Sequence, residues 1–178
     1  MRLKTAPAFC CGLAFLLLAT AAAATPADAA RPNFGGVWEL DQSRSYSIPP
    51  DIKQTMTVVQ EGDRVAVELK VTNAQGERVI KEAYTLDGKE TEFAPPPPPN
   101  APKDAPAPKG KRTARWMANG KGFIIEDEIV NQMPQGDTET ILIARKWMHW
   151  PDGTLSIETI TERGGNAFNN KRVFVKKP

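Results

Sequence analysis

Beyond residue 11 the chain contains no cysteine, and His149 is its one histidine. The two cysteines, Cys10 and Cys11, sit near the N-terminus. A disulfide scaffold is thus excluded for the rest of the chain, and a zinc site has no set of nitrogen and sulfur ligands to draw on. Glycine-rich phosphate loops and calcium loops are missing too. Ser43, Ser45 and Ser47 lack the elbow context that exposes a nucleophile. No convincing helical stripe appears, and no apolar run reaches the roughly 20 residues that a membrane-spanning helix needs. No metal, no cofactor and no enzymatic chemistry is therefore expected, and stability has to come from burial.

Residues 1–30 have the three parts of a cleavable export signal. Arg2 and Lys4 supply positive charge, Phe9 to Leu18 is apolar, and a small-residue tail offers cleavage after Ala24 or Ala30. The cysteines precede most of the apolar run, so lipid attachment is not expected. Export to the periplasm or beyond is. Removing the leader takes Arg2, Lys4 and Asp28 from 23 basic and 21 acidic groups, leaving a net charge of +1. That balance gives no pull toward nucleic acid and predicts no stable membrane insertion. The clusters Lys109 to Arg112, Lys171-Arg172 and Lys176-Lys177 read as solvated edges or tails.

What remains, residues 31–178, fits one domain and alternates apolar and polar residues almost throughout. Phe34, Gly36, Trp38 and Leu40 share a face, as do Val65, Val67, Leu69 and Val71. Further strands are expected around Met56 and Val58, over 78–86, 90–93, 113–118, 123–130, 138–150, 155–162 and 172–176. Glu61-Gly-Asp63, Asn73 to Gly76, Asp87-Gly88, Asn119-Gly120, Gln135-Gly-Asp137 and Asp152-Gly153 read as hairpin turns, and Gly164 to Asn170 as a longer one. Nine or ten strands in meander order predict an all-β fold, a single antiparallel up-and-down β-barrel. A two-sheet sandwich is the alternative. One segment breaks the rhythm. Residues 94–108 hold eight of the sixteen prolines and predict an extended loop, either a docking arm or lid, or a stiff spacer.

Phe34-x-Gly36-x-Trp38 near the start of an exported all-β chain resembles the first signature of the lipocalins and wider calycins. The resemblance implies that Gly36 allows close chain packing, that Trp38 plugs one barrel end, and that a basic residue from the last strand covers the indole. Arg172 is the matching candidate. Phe34 to Ser45, Gln60 to Asp63, Leu86 to Glu90, Ala114 to Trp116 and Asp152 to Leu155 are together similar to short bacterial lipocalin-like proteins of unknown function. That likeness implies a fold and no assigned activity. The Thr-Asp-Tyr signature of lipocalins and the helix before their last strand have no counterpart here.

A barrel of eight or more strands either fills with side chains or holds one small ligand. Tyr84, Trp116, Ile143, Arg145 and Trp147 are the candidate lining residues, with Arg145 or Tyr84 orienting a polar end. They read equally as plain core. Parity does not settle which face of 138–150 is inward, because Ile141 and Ile143 alternate with Leu142 and Ala144. Asp127 shares a stripe with Phe123, Ile125 and Ile129 but reads as solvated near a strand edge or twist. The other reading is a buried acid. His149, beside Trp147 and Trp150, reads as a packing or surface residue. The expected function is non-enzymatic binding of a small apolar or amphipathic molecule. The alternative is an envelope interaction or inhibitor module that meets a protein partner through the 94–108 loop.

Overall fold

The computed structural model describes residues 31–97, 106–132 and 136–178. The export leader, the centre of the proline-rich stretch and Gln135 of the expected 135–137 turn, on which three of the expectations above fall, lie outside these residues.

Alternating sequence becomes ten antiparallel strands: β1 (Gly36–Leu40), β2 (Lys53–Glu61), β3 (Arg64–Asn73), β4 (Gly76–Thr85), β5 (Asp87–Phe93), β6 (Lys109–Trp116), β7 (Gly122–Gln132), β8 (Thr138–His149), β9 (Leu155–Arg163) and β10 (Asn166–Lys176). A single 3₁₀ turn, Gln42–Arg44, follows β1, with Asp41 accepting from the Ser43 and Arg44 amides. The strands form one sheet in the order β4-β3-β2-β1-β10-β9-β8-β7-β6-β5. Strand β1 pairs with both β2 and β10, so the first and last strands of the meander join. The sheet curls into the expected barrel, nearly closed. One seam remains, between edge strand β4 and the β5–β6 ribbon.

Two turn expectations change. Asp87-Gly88 is no hairpin turn. It opens β5, where the register with β6 shifts between Asp87 and Glu90, and Leu86 alone carries the chain from β4 to β5. The long turn expected over 164–170 shrinks to Gly164-Gly165, both at positive φ, with β10 starting at Asn166. Two consecutive left-handed residues are what a tight two-residue hairpin demands, and glycine adopts them without steric cost.

The core is inside the barrel and densest at one end. Phe34 and Trp38 are fully buried, as are Phe123, Leu155 and Phe174. Phe34 meets Phe123 edge-on at 4.9 Å and Phe123 stacks on Trp147 at 5.0 Å, spacings at which aromatic pairs attract beyond their buried area. The Trp38 indole N–H donates to the Phe34 carbonyl at 2.8 Å. The same end is tied from outside. Asp63, in the β2–β3 turn, accepts from the Trp116 indole and from Arg31, both at 2.7 Å. This end carries the β2–β3, β6–β7 and β8–β9 turns. The opposite end carries the β3–β4, β5–β6 and β9–β10 connections.

The cation over Trp38 is Lys176, its register partner, with Nζ 5.5 Å from the ring centroid. It is not Arg172. Strand β1 ends at Leu40, opposite Phe174, so Arg172 lies beyond it and pairs with Ile157 of β9 instead. Gly36 makes room for the lysine: its φ is +138°, and a Cβ there would stand 2.6 Å from Lys176 Cε.

Candidate functional site

On several strands the inward stripe is apolar with one charged interruption. Strand β4 runs Ile80, Glu82, Tyr84; β6 runs Arg112, Ala114, Trp116; β7 runs Phe123, Ile125, Asp127; β8 runs Ile143, Arg145, Trp147. Alternation forces each of these charges into the barrel together with its apolar neighbours. Strand β8 thereby acquires a definite inward face, whereas Leu142 points outward and is 44% exposed.

Glu82, Arg112, Asp127 and Arg145 meet in one cluster. Asp127 is buried, against the expectation of a solvated residue near a strand edge, because its strand lies between β6 and β8, each of which presents an arginine. Arg112 grips it with two bonds, Nε to Oδ1 at 2.6 Å and Nη2 to Oδ2 at 2.9 Å. Arg145 Nη2 donates to the same Oδ2. Glu82 reaches these arginines from across the seam, at 3.1 Å to Arg112 and at 3.1 and 3.3 Å to Arg145. Two cations and two carboxylates balance, so desolvation is offset by pairing. Arg112 also lies over the Tyr84 and Phe93 rings, at 5.1 and 4.2 Å.

The Tyr84 hydroxyl donates to Glu82 Oε2 at 2.5 Å. Burial, with Glu82 adding to it and Arg145 opposing, pushes the phenol far above its ordinary value, so it stays a protonated donor. Burial alone would raise the Glu82 carboxyl. The Arg145 charge, the Tyr84 hydrogen bond and Arg112 outweigh it and hold the group below its ordinary 4.5. The unfolded chain therefore takes up this proton at higher pH than the folded one does. The stability Glu82 adds is complete above the ordinary value and is lost as pH falls through the lowered one. Urea unfolding across acidic pH should accordingly show a shallower acid limb for Glu82→Gln than for the native chain. Superimposable limbs would show that this pair contributes nothing.

A second set of inward polar atoms has no hydrogen-bond partner among the described residues. It comprises Gln54 Oε1, Arg145 Nε, Trp147 Nε1, Thr159 Oγ1 and Arg172 Nε. Gln54, Trp147 and Thr159 are all at least nine-tenths buried, and Thr159 pairs in register with Arg145. Leaving such a group unsatisfied costs about 1–3 kcal/mol. Arg172 is half-buried. It donates to Asn170 at 3.0 Å and has no carboxylate within ion-pair reach among the described residues. Burial, with repulsion from Arg78 added, lowers its pKa from the ordinary value, an arginine short of counter-charge.

The structure thus brings Tyr84 and Arg145 into the ionic cluster and places Ile143 beside them on the inward face. Trp116 and Trp147 join the aromatic end cluster. Arg112, expected on a solvated edge, instead faces inward with 12% of its side chain exposed, because Asp127 of β7 pairs with it in register, and Glu82, Gln54 and Thr159 were not foreseen. The signal was present in each strand as a polar residue on an otherwise apolar stripe. His149 packs edge-on against Phe34 and Trp38, at 6.1 and 6.0 Å. Among the described residues no three histidine, cysteine, aspartate or glutamate side chains converge to hold a metal.

No family model and no curated protein matches the sequence. Among solved structures, two are similar to this chain in fold. The zebrafish ileal bile acid-binding protein, complexed with cholic acid, is 15% identical with a TM-score of 0.40, over 81% of this chain and 98% of that one. Secretory abundant heat soluble protein 4 from Ramazzottius varieornatus is 13% identical with a TM-score of 0.40, over 81% of this chain and 94% of that one.

Proposed function

We propose that the protein is exported and binds a small amphipathic molecule inside its barrel, without chemistry. The apolar body displaces water from the inward wall, the dominant favourable contribution for such a ligand. An anionic or hydrogen-bonding end meets the polar atoms that face inward. The observation that carries this reading is the set of buried polar atoms without protein partners, together with an inward arginine that lacks a carboxylate. Gln54 and Thr159 offer oxygen acceptors, and Trp147 and Arg172 offer donors, so one polar end can be held from several strands. The aromatic cluster fills the end built on Phe34 and Trp38, which favours entry from the opposite end.

Titration of residues 31–178 with long-chain fatty acids should quench tryptophan emission saturably at one ligand per chain. Arg172→Gln should weaken that binding about tenfold, the scale of one charge-assisted hydrogen bond. A flat response across fatty acids and uncharged apolar probes alike would refute the proposal.

A further inference from the structure

The two carboxylates of the ionic cluster are not equivalent. Asp127 keeps 3% of its side chain exposed and is held by three bonds from neighbouring strands of the continuous sheet. Glu82 keeps 27% exposed, and its arginine contacts are all 3.1 Å or longer. It also stands on β4, an edge strand with no backbone partner on the seam side. Toward the arginines Glu82 is therefore the more weakly held of the two carboxylates, its one short bond coming from the Tyr84 hydroxyl on its own strand. Arg145 Nε, with no partner of its own among the described residues, faces the same interior.

We propose that Glu82 sets the ligand specificity of the barrel by competing with a bound anion for Arg112 and Arg145. The inference rests on the reading that the barrel takes an amphipathic ligand. An incoming carboxylate or sulfonate takes over the guanidinium hydrogen bonds that Glu82 makes. Glu82 then turns away with β4, and the seam loosens. Tyr84, which donates to Glu82, follows it or passes its hydrogen bond to the ligand. An uncharged ligand of the same shape leaves the contact intact. The native barrel thus resists anions in proportion to how well Glu82 holds its place, and Asp127 keeps the arginines aligned throughout.

The test uses residues 31–178, native and Glu82→Gln, with two fluorescent probes that differ by one sulfonate: 8-anilinonaphthalene-1-sulfonate and uncharged N-phenyl-1-naphthylamine. Glu82→Gln should bind the sulfonate about tenfold more tightly while leaving the uncharged probe within about twofold, since one charged competitor has been removed. Adding Arg145→Gln to that variant should cancel the gain. Equal gains for both probes would reduce Glu82 to a space-filling role and overturn the proposal. So would an unchanged or weaker sulfonate affinity, while native binding of either probe would leave the binding reading standing. Binding of neither probe to either protein would overturn both. Should Glu82→Gln fail to fold, hydrogen exchange in the native protein decides. The sulfonate, and not the uncharged probe, should speed exchange across residues 76–85, and slowed or unchanged exchange there would contradict displacement.

Discussion

Asp127→Asn is expected to lower folding stability by about 3–5 kcal/mol, the range for removing one partner of a buried ion pair. The substitution preserves shape, so the loss is electrostatic. Arg112 and Arg145 would be left to share Glu82, the more exposed and more distant carboxylate. Neither arginine can escape by giving up its proton, because guanidinium stays charged at any accessible pH. Repulsion between them would then act across the β6–β7–β8 sheet, where the register is otherwise regular. Urea unfolding measures the effect. In a double-mutant cycle with Arg145→Gln, a large part of the loss should disappear, because the second change removes the stranded cation. A loss below about 1 kcal/mol would mean that the cluster is solvated and the barrel wetter at its centre than the burial of Asp127 indicates.

The second large effect is expected at a residue outside every strand. Phe34→Ala should cost about 3–5 kcal/mol, as core phenylalanine truncations do. Phe34 precedes β1, yet it is fully buried and meets Phe123, Trp116, Trp147 and His149. Its amide donates to the Gln60 side chain at 2.9 Å, and its carbonyl holds the Trp38 indole. The backbone at residue 34 is therefore held at both its amide and its carbonyl and cannot move inward to fill the cavity that truncation leaves. For a domain of this size the melting temperature should drop by roughly 10 °C or more. A drop of a degree or two would show that the end cluster collapses around the gap.

These two residues also mark what could be read from the sequence and what could not. Period-two alternation, with glycine-centred turns, was sufficient for nine or ten strands and an up-and-down barrel, because inward and outward positions alternate along a regular strand. It failed where backbone conformation hides in composition. Gly164-Gly165 followed by polar residues reads as a long turn until the tight two-residue hairpin reveals itself. The charged interruptions on β4, β6, β7 and β8 were legible one at a time. That they cancel one another was not, since Glu82 meets Arg112 and Arg145 across a seam with no backbone pairing to announce it. The cation over Trp38 depended on where β1 stops, a boundary that alternation does not fix.

On the proposed function, a ligand enters the barrel interior and not a site on its outer wall. The four tryptophans report on it separately. The indole N–H groups of Trp38, Trp116 and Trp150 donate to Phe34, Asp63 and Ser156, whereas that of Trp147 is buried and without a partner among the described residues. The most direct measurement follows the four indole signals in ¹⁵N-correlated spectra during titration with a long-chain fatty acid. A saturable one-to-one shift of the Trp147 indole, with the exposed Trp150 unmoved, is the predicted result. Movement of Trp150 alone, or of no indole at any ligand concentration, would contradict it.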